Sequence, residues 1–384
     1  MSNHIKVSVV IPTRERAETL EYTIKTALNQ ALQEYEVIVS DNFSQDHTKQ
    51  VFDSFNDARL KYVNTMQRLS MTDNFNFGVS HAKGDYIIII GDDDGVMPNA
   101  IDWFCNIIDT HPSDLYTWPR HGYIWPSDNK EPKIERIAEV SEPAEINLRK
   151  ELGQMLQKGL LLNSAMPNTY HSATHRRIFD EIKNATGQYH QTTVPDEFML
   201  FTLPVFCEHA INIGKPISVN GHSPKSNSGS QLDANKNKAV ELEKFMKEQN
   251  NYKVHPSIPN GFPRDLSFLL DTFLVVRDLY PKHYANYKIN YSGMWAYGWQ
   301  IIKLENMLEP IKRRKELQVH ESFNPLIYLI FSLLFFVYLR ILKNFSPKSK
   351  YEKNVQNIFQ KNPPHNIVEF VSFIDKHQQT YSKS

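Results

Sequence analysis

Four consecutive isoleucines, Ile87–Ile90, run through Gly91 into three aspartates, Asp92–Asp94. A strand with one wet face alternates apolar and polar residues, so an unbroken apolar run reads as a strand covered on both sides. Such strands sit at the centre of parallel sheets coated by helices. The aspartates then fall at the carboxyl end of a central strand, where open α/β sheets hold ligands. Three like charges at one strand mouth repel one another, so this corner requires a compensating partner.

The rest of the first half fits that frame. KVSVVIP (residues 6–12) is a β-branched run closed by proline, and Leu20, Ile24, Leu28 and Leu32 recur every four residues as one helix face. Residues 35–40 and 60–63 read as further strands, residues 74–82 as a helix, and 85–90 as the fourth strand. Alternating strands and helices predict parallel βαβ units. Past residue 115 the pattern loosens, with a helix near 146–159 and, in NTYHSATHRRIFDEI, a strand entering a helix. GHSPKSNSGS (221–230) has the composition of a loop and marks a domain edge. Beyond it, 239–249, 264–279 and 293–307 read as helices. The expected organisation is an α/β domain over 1–230 and a helical domain over 231–320 for acceptor or membrane docking. An apolar membrane-associating helix over 321–345 and a polar tail over 346–384 complete it.

Charge excludes one class of partner. Lys plus Arg and Asp plus Glu both number 43, whereas a nucleic-acid-binding chain carries a basic excess. Cys105 and Cys207 read as thiols of a reducing compartment, and MSNHIKVSVVIP enters a strand with no secretory leader. A cytoplasmic protein is expected. PLIYLIFSLLFFVYL (325–339) is apolar on every helical face except at Ser332, yet shorter than the roughly 20 residues that span a bilayer. Cations flank it on both sides, at Lys312–Lys315 and from Arg340 onward. That pattern suits a helix lying in the interface of the inner membrane face, or a short re-entrant segment, with a buried helix as the bland alternative.

A divalent cation would resolve the aspartate crowding, because Mg²⁺ or Mn²⁺ prefers carboxylate oxygen and shares its shell with phosphates. Other polar residues cluster on the same rim. Asp41 ends the second strand, where a carboxylate accepts from the N–H of a pyrimidine base or caps a helix; Thr13 suits a cap equally well. Arg68 reads as a phosphate contact or a solvated arginine, and Asn74 as a polar helix residue. Asp196, just after Pro195, reads as a carboxylate base or a helix cap. His222 reads as a metal or phosphate contact or an exposed loop histidine. Ser226, Asn227 and Ser228 have lid-like composition.

VSVVIPTRERAETL, YEVIVSDNFSQDHT, AKGDYIIIIGDDDGVMPNAI and the later PDEF occur in an order that resembles the family 2 glycosyltransferases of the GT-A fold. The likeness covers roughly residues 6–230. It implies a Rossmann-like, mostly parallel sheet flanked by helices, with a helical C-terminal region. It also implies inverting transfer, of hexosyltransferase type, from a nucleotide-sugar, usually UDP-linked, to a hydroxyl of a lipid-linked saccharide or cell-surface glycan. Carried over by position, Asp41 matches the residue that reads the base, and Pro12, Thr13 and Glu15 match the first nucleotide loop. Asp92 and Asp94 match the outer carboxylates of the Asp-x-Asp motif, the first nearer the ribose and the second on the metal. Asp93, between them, faces donor sugar or metal. Asp196 matches the general base, with Glu197 competing because many members read Glu-Asp where this chain reads Pro-Asp-Glu. Some relatives place a histidine at the position of His222. The rival readings are a nucleotidyltransferase, whose glycine-rich phosphate loop TRERAETL lacks, and a non-catalytic sugar-nucleotide-binding scaffold.

Overall fold

The computed structural model describes residues 4–127, 130–160, 166–226, 245–249, 252–258, 264–300, 309–312, 324–340 and 349–381. Strands β1 (Val7–Thr13), β2 (Tyr35–Asp41), β3 (Leu60–Asn64) and β4 (Tyr86–Ile89) are parallel and lie side by side as β3-β2-β1-β4. Helices α1 (Ala17–Leu28), α2 (Thr48–Asp53) and α3 (Met71–His81) make the crossovers. The chain adds strands on one side of β1 and then returns to the other, which creates a switch point between β1 and β4.

The isoleucine run behaves as a doubly buried strand must. Ile87 and Ile89 enter one core with Phe75, Leu115 and Phe179, while Ile88 and Ile90 enter the opposite core with Val9, Leu20 and Phe104. All four are at most 2% exposed, each contributing about 1.5–3 kcal/mol relative to an exposed side chain. Local signals fix the neighbouring helix: Ser70 Oγ accepts from the Asp73 N–H at 3.0 Å and opens α3.

Beyond β4 the sheet becomes mixed. Strands β6 (Leu115–Thr117), β9 (Ala144–Asn147), β10 (Ser172–His175) and β11 (His209–Asn212) extend it as β4-β10-β6-β11-β9, with β10 antiparallel to both its neighbours. Helices α4 (Ala100–Thr110), α5 (Leu148–Gln157), α6 (Arg176–Thr186) and α7 (Pro195–Phe206) cover it. A second sheet of four strands, β5 (Gly95–Val96), β12 (Ser218–His222), β7 (His121–Ile124) and β8 (Lys133–Arg136), stands beside the first. The aspartates occupy the link between β4 of one sheet and β5 of the other.

The helix Arg264–Leu279 joins the main core through Leu269, Phe273 and Leu274, with Phe273 edge-on to Phe201 of α7 at 5.4 Å. The helix Tyr291–Gln300 adds Met294, Trp295 and Ala296 to that core. Residues 239–244 and 301–307 of two expected helices lie outside the described residues. The apolar segment forms the helix Pro325–Arg340, which buries Tyr328 and Ser332 and exposes Leu326, Ile330, Leu333 and Leu334. Among the described residues no helix is long and apolar enough to cross a membrane. The last stretch, polar by composition, forms the helices Lys350–Lys361 and Ile367–Tyr381, and Ile367, Phe370, Val371 and Ile374 of the second enter the core beside the second sheet.

Candidate active site

The switch point brings the ends of β1 and β4 together. Thr13 does not cap a helix: its Oγ1 donates to Asp92 Oδ2 at 2.7 Å, and Arg16, leading into α1, donates Nη1 to Asp92 Oδ1 at 2.6 Å. Asp93 Oδ2 accepts from the Ser223 N–H at 2.8 Å, and its carbonyl accepts from Trp125 Nε1 at 2.8 Å. Asp94 Oδ1 accepts from the Gly221 N–H at 2.7 Å, and Oδ2 from the Gly91 N–H at 2.6 Å. Gly221 is obligatory here, because a Cβ on it would lie 1.8 Å from the Asp93 carbonyl oxygen. Each carboxylate therefore has its own donors, and this is what makes the crowding tolerable.

The cost does not vanish. Burial, reinforced by Asp93, pushes the Asp94 carboxyl up to about 7. Burial also raises Asp92, with Arg16 opposing and Asp93 adding to the shift. Among the described residues no group of three or more His, Cys, Asp or Glu side chains is arranged to hold a metal ion. Mg²⁺-like ions need no such cage, since they take one or two carboxylates and fill their shell with phosphate oxygens and waters. Asp94 fits that demand: Oδ1 accepts only the Gly221 N–H and keeps a second lone pair, while Oδ2 accepts the Gly91 N–H and lies 3.4 Å from His171 Nε2. Asp92 fits it less well, its charge being matched by Arg16. His222 engages Nε2 with Asn220 Nδ2 at 2.9 Å and Glu135 Oε2 at 3.1 Å, and that contact with Glu135 is the main reason its imidazole is raised.

Across the crevice, α7 begins at Pro195 with no side-chain cap, and Asp196 sits in its first turn. Burial raises the Asp196 carboxyl, against the pull of the backbone N–H groups of Asp196 and Glu197 and of Arg120. Two side chains tie this wall to the aspartates. Tyr170 feels Asp196, Asp94 and Asp92 together, and Arg120 feels both Asp94 and Asp196. Glu197 points elsewhere: its Oε2 is buried without a hydrogen-bond partner, and after burial its upward shift comes from Asp196 and from Asp271 of the helix Arg264–Leu279.

The rim formed by the ends of β1 and β2 is firmly built. Asp41 Oδ1 accepts from the Ser44 N–H at 3.0 Å, and Oδ2 from Tyr62 Oη and from Asn64 Nδ2 at 3.0 Å. Glu15, at φ +54°, bridges the first two loops by accepting from the N–H groups of Gln45 and Asp46. Pro12 is buried at the end of β1, paired in register with Ser40. Arg68 Nη2 lies 3.3 Å from Glu248 Oε1, and Arg14 Nη1 donates to Glu248 Oε2 at 2.7 Å. Asn74 is buried and accepts from Ser40 Oγ at 2.8 Å, so it locks α3 to β2. Ser226 is buried and donates to the Ser223 carbonyl at 2.8 Å; Asn227 and Ser228 lie outside the described residues. Arg16, Arg120 and Tyr170 line the site too, although nothing in the local sequence marks them for it. Arg16 stands three residues after Thr13 in a stretch notable only for its missing glycine, and tertiary pairing alone delivers the other two. His171, beside the strand of NTYHSATHRRIFDEI, reads from sequence as lining the acceptor side or flanking a strand, and it lies 3.4 Å from Asp94.

A mostly parallel sheet with a carboxylate-lined switch point, faced by a small second sheet and flanked by helices, is a GT-A-type fold. Residues 8–183 match the family described as Glycosyl transferase family 2. It is 36% identical over 99 residues to the GalNAc(5)-diNAcBac-PP-undecaprenol beta-1,3-glucosyltransferase of Campylobacter jejuni, covering 25% of this chain and 32% of that one. It is 30% identical over 111 residues to the cholesterol galactosyltransferase of Borreliella burgdorferi, covering 29% and 31%. The aligned part thus spans about a third of the length of these relatives. The solved structure of S. aureus TarS 1-349 in complex with UDP-GlcNAc covers 98% of this chain and 92% of that one, at 14% identity and a TM-score of 0.48, a likeness too low to inform the chemistry of this site.

Proposed function

We propose that this chain is an inverting glycosyltransferase that moves a sugar from a UDP-linked donor to a hydroxyl of a lipid-linked saccharide or surface glycan. One observation supports the reading: the charges of Asp94 and Asp196 both act on Tyr170 and on Arg120, so the aspartate loop and the start of α7 offer two separate carboxylate groups close together. In-line displacement needs that polarity, with leaving diphosphate on one side and proton acceptor on the other.

Asp196 takes the proton of the attacking hydroxyl, and its raised carboxyl makes it a better base than a solvated aspartate. Glu197 is the weaker candidate because its Oε2 is buried without a hydrogen-bond partner, and burial followed by the charges of Asp196 and Asp271 holds its carboxyl well above the ordinary range. Asp41 faces the base and Asp92 the ribose, while Thr13 and Arg16 hold Asp92 in place. Asp94, with Asp93 beside it, would hold Mg²⁺ or Mn²⁺, which supplies charge neutralisation at the diphosphate. Arg120, between the two walls, is placed to receive a phosphate oxygen. The exposed leucines of Pro325–Arg340 suit contact with the inner membrane face, where a lipid-linked acceptor would be met.

A thermal-shift panel of nucleoside diphosphates and their sugars, with and without Mn²⁺, tests the donor side. Stabilisation of about 2–3 kcal/mol is expected near a hundredfold excess over Kd. Asp196→Asn should lower kcat by about a hundredfold or more while leaving UDP binding in place. Transfer that survives this substitution rules Asp196 out as the base, and a chain that answers to no nucleoside diphosphate is not a transferase of this kind.

A further inference from the structure

His171 stands at the start of β10 in a conformation that the local sequence does not favour. Its φ of +52° is left-handed for a residue with a Cβ, a state that costs about 1–2 kcal/mol and is kept only where tertiary contacts impose it. The backbone is held by a bond from the His171 N–H to the Ile89 carbonyl at 3.2 Å, one residue from the end of the isoleucine run. The ring is buried, its side chain 1% exposed.

Strand periodicity explains what surrounds it. Ser218, Asn220 and His222 alternate along β12 and project to one face, while Gly221 between them turns its N–H to Asp94. His171 Nδ1 lies 2.7 Å from Ser218 Oγ, which accepts from Trp118 Nε1 at 2.8 Å. An indole N–H can only donate, so the serine hydroxyl proton is free to point at Nδ1. Nε2 faces two acceptors, Asn220 Oδ1 at 3.2 Å and Asp94 Oδ2 at 3.4 Å. Both ends of the ring therefore select one tautomer, neutral with the proton on Nε2. Burial, helped by Arg120, favours the neutral form as well.

We propose that His171 is a positioning residue for Asp94: with Ser218 behind it, its Nε2–H, bonded to Asn220 and lying beside Asp94 Oδ2, adds to the Gly91 and Gly221 N–H groups in setting the carboxylate that meets the donor's diphosphate and its counter-ion. This rests on the transferase reading of the same crevice. Groups that orient a ligating carboxylate typically change metal affinity or activity by about 10–100-fold when removed.

The test is titration calorimetry of UDP with Mn²⁺, without acceptor, alongside thermal unfolding. His171→Ala should weaken UDP·Mn²⁺ binding about tenfold or more and leave UDP binding in EDTA unchanged. Glutamine places its Nε2 the same number of bonds from Cα as histidine does, so His171→Gln should recover most of the loss. His171→Leu fills the space without donating and should not. Where the alanine variant unfolds early, the glutamine–leucine comparison decides. Equal affinities for those two variants, or undiminished UDP·Mn²⁺ binding in His171→Leu, would overturn the positioning role alone. A wild-type protein that binds no UDP with or without Mn²⁺ overturns the transferase reading along with it.

Discussion

Glu197 and Asp196 are neighbours in sequence, similar in chemistry and opposite in circumstance. The first turn of α7 separates them by about 100°, so one carboxylate faces the crevice and the other enters the packing against the helix Arg264–Leu279. Glu197 is held well above the ordinary glutamate range by burial, by Asp196 and by Asp271, and its Oε2 has no donor. A carboxyl whose folded value is raised binds protons better in the native state than in the unfolded one. Its penalty is therefore absent below the unfolded value near 4.3 and grows as pH rises toward the folded value. Glu197→Gln removes that penalty and should stabilise the protein by about 1–3 kcal/mol at pH 8, with little gain at pH 4. Urea unfolding at the two pH values reads the difference. A gain of the same size at both, or none at either, shows that Glu197 finds a partner and is not buried as an isolated charge. The sequence leaves Asp196 and Glu197 one residue apart in plausibility; their surroundings differ, with the charge of Arg120 acting on one and that of Asp271 on the other, and this difference supports the proposal of Asp196 as the base.

At the scale of elements, legibility follows contact distance along the chain. Strands β1 to β4 and their helices are readable because each carries its own signal: β-branched runs, four-residue apolar spacing, the serine before α3. The second sheet is not, since β5 has two residues and β12 five, and their pairing joins segments more than a hundred positions apart. That is why Ser223 and Gly221, which tertiary pairing carries to the aspartates, give no local sign. The final helix is hidden differently. Ile367, Phe370, Val371 and Ile374 have the helical spacing of a buried face, but Lys, Gln and Ser around them give the stretch a polar composition. In the structure Phe370 stacks on Tyr123 with ring centroids 4.8 Å apart, and Tyr123 Oη donates to the Pro364 carbonyl at 2.8 Å. Ile367 and Val371 close on Gly95, where an added Cβ would meet Ile367 Cγ1 at 2.7 Å. The C-terminal helix thus backs the loop that carries Asp92–Asp94. Phe370→Ala should cost about 3–5 kcal/mol, read as a lower urea midpoint with an unchanged slope. A loss below about 1 kcal/mol means that this helix is a peripheral addition and that the aspartate loop stands without it.

At the scale of the whole molecule, packing among the described residues leaves one helix face unexplained. The helix Pro325–Arg340 buries Tyr328 and Ser332, one turn apart, whereas Leu326, Leu333 and Leu334 are 66%, 64% and 57% exposed. Isolated exposed leucines are ordinary, but a row along one helix marks a contact surface. At 16 residues the helix rises about 24 Å, less than the roughly 30 Å of a bilayer core, so its apolar side suits insertion along the interface better than a span. The cations that flank it in sequence, Lys312–Lys315 and Arg340 with Lys343, add attraction to anionic headgroups. Two contributions with different salt responses then act together, and they can be separated. The protein should sediment with phosphatidylglycerol vesicles and less with phosphatidylcholine, and raising salt from about 0.05 to about 0.5 M should weaken only the anionic preference. Replacing Leu326, Leu333 and Leu334 by glutamine should lower partitioning by about tenfold or more on both lipids, since each buried leucine contributes about 1.5–3 kcal/mol. UDP binding should survive that triple change, because none of the three residues approaches the crevice. Binding to vesicles that persists undiminished in the leucine variant would move the docking surface elsewhere, and a wild-type chain that ignores both lipids would leave this face to a protein partner.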